Sequence, residues 1–157
     1  ADAIRLILLT GCRSGEIARL TWAEVSTDRL RLISTKTGER EVLLSRPAKA
    51  ILDRRKRGAS SAFVFPHQVD PPQPIASIDA AWRTIRPLVV LPEDIRLHDL
   101  RHTYASHAIM IGETLNMAGK LLGHKRPKTT EIYAHMEAPH LAQAADRVGN
   151  LISSWLG

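Results

Sequence analysis

The stretch His98-Asp99-Leu100-Arg101-His102-Thr103-Tyr104-Ala105-Ser106-His107-Ala108-Ile109-Met110-Ile111-Gly112 decides how the chain is read. It predicts a helix from about His98 to Ile111, ended by Gly112, where glycine accepts a left-handed turn. Residues three apart share a helix face, so His98 and Arg101 can address one ligand. Arginine offers a planar fork of donors and histidine can give or take a proton, so the pair suits a phosphate. Taken by itself, a histidine at a helix start is equally at home as a solvated side chain.

Downstream of this stretch, the pattern predicts further helices over about Glu113–Leu122, ended by Gly123, around Thr129–His135, and from Pro139 toward Trp155. Upstream, an opening helix stops at Thr10-Gly11, and Ser14 is placed to cap a second that carries Ile17, Ala18 and Leu20 inward. Arg29-Leu30-Arg31-Leu32-Ile33 and Arg40-Glu41-Val42-Leu43-Leu44 alternate at strand period around Thr37-Gly38-Glu39, which predicts a β-hairpin. Ser45 and Pro47 open a helix that runs to the basic stretch Arg54–Arg57. Phe63-Val64-Phe65 reads as a short strand, and Pro66 to Pro74 holds four prolines and reads as loop. Ser77 caps a helix with Ala80, Ala81, Trp82 and Ile85 that ends near Pro87, and Val89 to Asp94 is loop. The expected fold is mostly α with a small antiparallel β-hairpin, without internal repeats.

Composition narrows the classes. At 157 residues, with 44% hydrophobic and 24% charged, the chain suits one globular domain with a real core. A net charge of +6 favours a polyanion partner without choosing nucleic acid. Cys12 is the only cysteine, which excludes an internal disulfide, suits a reducing compartment and, with no compact His/Cys spacing, speaks against zinc. No apolar run reaches the roughly 18–20 residues of a membrane span, and no signal-peptide pattern is present. The chain opens inside a helical pattern without Met, as a fragment of something longer does.

Four segments carry the chemistry. Thr10-Gly11-Cys12-Arg13-Ser14-Gly15-Glu16 sets an arginine at the mouth of a helix, where backbone N–H groups favour an anion. Lys36 sits at the hairpin tip, where a lysine can swing over a ligand. His98 and Arg101 form the third. Leu121-Leu122-Gly123-His124, followed by Thr129-Thr130-Glu131-Ile132-Tyr133-Ala134-His135, is the fourth. Each has a bland alternative as a solvated or packing residue. His102 and His107 read as surface or packing residues, and Tyr104, mid-helix beside Ala105 and Ile109, as core.

Together, Arg13, Lys36, His98, Arg101, His124 and Tyr133 resemble the signature of the tyrosine recombinases, or lambda-type phage integrases. The words TGCRSGE, HDLRHTYAS, LLGHK and TTEIYAH resemble that family as well. The resemblance covers nearly the whole chain. It implies a tyrosine recombinase catalytic-domain fold over residues 1–157, with the family's N-terminal DNA-clamping domain outside this chain. It implies double-stranded DNA as partner, self-association as a tetramer on paired sites, a cytoplasmic location, and no cofactor, metal or small-molecule substrate. Tyr133 would be the nucleophile and form a 3′-phosphotyrosyl bond. Arg13 and Arg101 would clamp the phosphate with His124, His98 would take the phenolic proton, and Lys36 would protonate the leaving 5′-oxygen. Glu16 would orient an arginine. The alternatives are a type IB topoisomerase-like relaxing enzyme and a noncatalytic DNA-binding module.

Overall fold

The computed structural model describes residues 1–33, 38–92, 94–124 and 127–156. Helices dominate: α1 (Asp2–Thr10), α2 (Ser14–Ala18), α3 (Arg46–Lys56), α4 (Ile78–Ile85), α5 (Asp99–Met110), α6 (Leu115–Leu122) and α7 (Ala138–Leu156). Strands β1 (Arg29–Leu32) and β2 (Arg40–Leu43) form an antiparallel pair in the register Leu30 to Val42 and Leu32 to Arg40. That register buries Leu30, Leu32 and Val42 and leaves Arg31 and Glu41 outside, as period-2 alternation requires. Lys36, expected at the hairpin tip, lies outside the described residues.

The expected strand at Phe63-Val64-Phe65 does not form. Phe63 makes only an isolated bridge to Thr21, and Val64 donates to the Leu20 carbonyl. A sheet of two strands offers this apolar segment no ladder to join, so Val64 and Phe65 are buried as loop residues instead. The segment expected as a short helix around Thr129–His135 is two 3-10 turns, Pro127–Thr129 and Glu131–Met136. Ser14 is not the cap of α2. Arg13 holds that position in extended backbone, and Glu16 reaches back to its N–H.

Two apolar clusters meet at α5. The larger joins α1, α2, the hairpin, α3 and α4 around Leu6, Ile7, Ile17, Leu20, Leu30 and Ile78. The smaller joins α5 and α6 through Ala105, Ile109, Ala118 and Leu122, and Tyr133 belongs to it. Small residues on α5 let α1 and α6 approach its two sides. The polar side chains described next gather where the clusters meet. α7 packs against the turn that carries Tyr133 and leaves Leu141, Val148, Leu151 and Ile152 exposed. No helix among the described residues is long and apolar enough to cross a membrane.

Candidate active site

Arg101 is the buried centre of the site, with 3% of its surface exposed. Its guanidinium donates through Nη1 to the Gly11 carbonyl and through Nη2 to the Leu122 carbonyl at 2.7 Å. These carbonyls close the C-terminal ends of α1 and α6, which carry partial negative charge. Both helices end on left-handed glycines, Gly11 (φ 62°) and Gly123 (φ 68°). Two helix ends therefore hold one cation, with no carboxylate bonded to it among the described residues. Burial first, then the charges of Arg13 and Arg40, draw the Arg101 pKa down to about 10, so it is still a cation at neutral pH.

Arg13 and Arg40 share one carboxylate. Glu16, its side chain 4% exposed, accepts Arg13 Nη1 at 2.8 Å and Arg40 Nη2 at 2.7 Å. Burial would raise the Glu16 pKa, but the hydrogen bonds from Arg40 and Arg13 outweigh it and hold the group below the usual carboxylate range. Arg40 comes from β2, lies against Gly123, and has one buried nitrogen, Nη1, without a partner among the described residues. Among the described residues, Glu16 is thus the one carboxylate set among three guanidiniums.

His124 follows Gly123 and turns its Nδ1 to Thr130 Oγ1 at 2.9 Å. Burial, then Arg101, Arg13 and Arg40, draw its pKa down to about 4, so the ring is neutral at pH 7. Thr130 sits on Gly119 of α6, where a Cβ would meet its Oγ1 at 2.8 Å. Three residues on, the buried Tyr133 places its hydroxyl 2.5 Å from Nδ1 of His102. Burial pushes the phenol pKa up, with Arg101 pulling the other way. His98, the exposed N-cap of α5, meets His102 edge-on with ring centroids 5.0 Å apart. Its pKa is lowered by desolvation, then by His102 and Arg101. No group of three or more His, Cys, Asp or Glu among the described residues is arranged to hold a metal.

Residues 1–140 match the phage integrase family. The chain belongs to the phage integrase family. The integrase of Escherichia phage P2 is 33% identical over 140 residues, 88% of this chain and 38% of that protein. The catalytic domain of bacteriophage HP1 integrase superposes with a TM-score of 0.66 at 26% identity, covering 92% of this chain and 79% of that one. A XerA recombinase crystal structure has the same fold, with a TM-score of 0.74 at 22% identity over 92% of this chain and 56% of that one. The chain spans about 40–50% of the length of the full-length relatives it matches.

In this integrase-family chain, Arg13, Arg101, His124 and Tyr133 converge, with His98 at the edge of the group, while Lys36 lies outside the described residues. Glu16 holds Arg13, as its place three residues on suggests. Tyr104 is half-buried, its ring against the position a Cβ on Gly11 would take. His102 needs correction: it is neither a surface nor a packing residue but the hydrogen-bond partner of Tyr133. The one available signal was its position, four residues after His98 and therefore on the same face. The sequence does not single out Arg40. It reads as one more polar position in an alternating strand, and only the tertiary fold sets it over Glu16.

Proposed function

We propose that the chain is the catalytic domain of a site-specific DNA recombinase that cleaves and rejoins duplex DNA through Tyr133. The observation that carries the reading is the excess of buried cationic charge beside a tyrosine hydroxyl. Arg13 and Arg40 share the Glu16 carboxylate while Arg101 is held by two backbone carbonyls, so among the described residues three guanidiniums gather around one carboxylate. Uncompensated buried cations are costly, and an anion placed between them removes the cost. A phosphodiester is such an anion, and it gains negative charge on its nonbridging oxygens as a nucleophile adds. Fixed donors aimed at that charge favour the transition state over the ground state, each worth about 3–4 kcal/mol.

The steps balance without a cofactor. Tyr133 Oη bonds to phosphorus, the bond to the 5′-oxygen breaks, and one phosphoester replaces another. Arg13 and Arg101 clamp the nonbridging oxygens, and neutral His124 donates to them from its other ring nitrogen. His98 stands at the rim within reach of the same phosphate, backing the ring that meets the phenol. Lys36, which lies outside the described residues, protonates the leaving 5′-oxygen. Charge neutralisation by arginines makes a metal unnecessary, so cleavage is expected to persist in excess EDTA. Loss of cleavage with DNA binding intact, restored by magnesium, contradicts this.

Several relatives in solved complexes, including a lambda integrase dimer on a core site and a XerH recombinase on its substrate, are bound to DNA. DNA fits the +6 charge here. The exposed apolar residues of α7 support docking onto a neighbouring protomer in a tetramer on paired sites. The single buried cysteine and a DNA substrate suit the cytoplasm. The test is incubation with a nicked suicide duplex and a denaturing gel. A covalent adduct is expected from the native protein and none from Tyr133→Phe, which still binds DNA. Adducts in Tyr133→Phe that vanish in Tyr104→Phe overturn the assignment.

A further inference from the structure

We infer that His102, rather than His98, is the catalytic residue that takes the phenolic proton of Tyr133 as the tyrosine attacks. The inference rests on the proposed recombinase reading and assigns one proton within it. Among the described residues the Tyr133 hydroxyl has one side-chain partner, His102 Nδ1 at 2.5 Å. His98 meets the His102 ring instead, at 84° between planes. A general base must be within hydrogen-bond reach of the proton it removes, and His102 satisfies this before any substrate arrives. The first turn of α5 then carries both halves of the step. Arg101 holds the phosphate, and the next residue holds the nucleophile.

Charged and titratable groups from several elements surround His102. Facing it are Tyr133 from the 3-10 turn, His98 from its own helix and His124 from the end of α6. Arg101 lies beside it on α5, and Arg13 from the N-cap of α2 and Arg40 from β2 add to the field on Arg101 and His124. As phosphorus is attacked, the Oη–H proton passes to Nδ1, the O–P bond forms, and the new imidazolium is offset by charge growing on the phosphate. On rejoining, the same proton returns to the departing phenolate. This requires the Nε2–H tautomer, which leaves Nδ1 free to accept.

The tautomer is testable without DNA. In the full-length protein labelled with 15N-histidine, His102 Nδ1 should show the shift of a hydrogen-bonded acceptor, and Tyr133→Phe should move it. A protonated Nδ1 that donates to the phenol oxygen overturns the inference. The second arm uses a nicked duplex selected from a random library for covalent capture by the native protein. H102Q and H102N should cleave it about 100- to 10,000-fold more slowly. Their rate should rise in proportion to hydroxide, because the phenol must then ionise unaided. A fluorinated tyrosine of lowered phenol pKa at position 133 should rescue H102Q but not Arg101→Ala. Native rates in both His102 variants, or slow rates that are flat with pH and not rescued, overturn the inference while leaving the recombinase reading intact. Capture that survives Tyr133→Phe overturns the recombinase reading instead.

Discussion

Glu16 is the side chain on which two of the three arginines depend. Its carboxylate is buried and takes both Arg13 and Arg40, so its loss strands two cations in a poorly solvated site. Glu16→Gln is expected to lower unfolding free energy by about 3–5 kcal/mol, the range for breaking a buried pair. Urea denaturation checks this, and an unchanged midpoint contradicts it. The pH dependence has a definite sign. His124 falls from 6.5 to about 4 on folding, so its contribution is present above pH 6.5 and lost as pH falls toward 4. Glu16 is also depressed on folding, so its contribution too is lost in acid. Urea midpoints should therefore fall as pH drops from 6.5 to 4, and His124→Gln should flatten the upper part of that decline. Arg13, Arg101 and His124 were legible because each lies in a short word with its own local logic. Arg40 and His102 were not, because strand alternation and helix periodicity give a side chain's face but not its partner.

Among the elements, glycines at two helix positions set the site's dimensions. Gly123 has φ 68°, and a Cβ there would meet Arg40 Cδ and Nη1 at 2.8 Å. Arg40 is held by Glu16 and cannot move aside freely. Gly123→Ala therefore combines backbone strain with a displaced guanidinium and is expected to cost more than the roughly 1 kcal/mol of left-handed backbone alone. Gly119→Ala would push Thr130 from α6 and with it the bond that orients His124. Slower cleavage with near-native DNA binding is expected, and cleavage at the native rate contradicts this role for Gly119. The order of helices and the hairpin register were readable from apolar spacing and turn residues. The 3-10 turns around Tyr133 were not: their backbone follows from seating Tyr133 in the α5–α6 cluster, a long-range contact that local propensity does not encode.

On the scale of the whole molecule, the site lies where two apolar clusters meet, and Arg101 bridges the helix ends on either side. Substrate and stability are thereby coupled, since an anion that neutralises the arginines also favours the joined clusters. DNA is expected to raise the melting temperature, and raising salt should weaken both binding and this shift together. The exposed apolar residues of α7 make a separate expectation: truncation before Ala138 should reduce assembly on paired sites more than binding to one site. Equal loss of both, with a lower melting temperature, would instead place α7 in the domain's own packing.

The most direct measurement is mass spectrometry of the trapped covalent adduct after tryptic digestion. Cleavage at Lys128 and Arg147 isolates residues 129–147, which contain Tyr133, and cleavage at Arg101 and Lys120 isolates residues 102–120, which contain Tyr104. The account predicts a nucleotide attached through a phosphodiester to Tyr133 in the first peptide. A nucleotide on Tyr104, or on any residue of the second peptide, contradicts it.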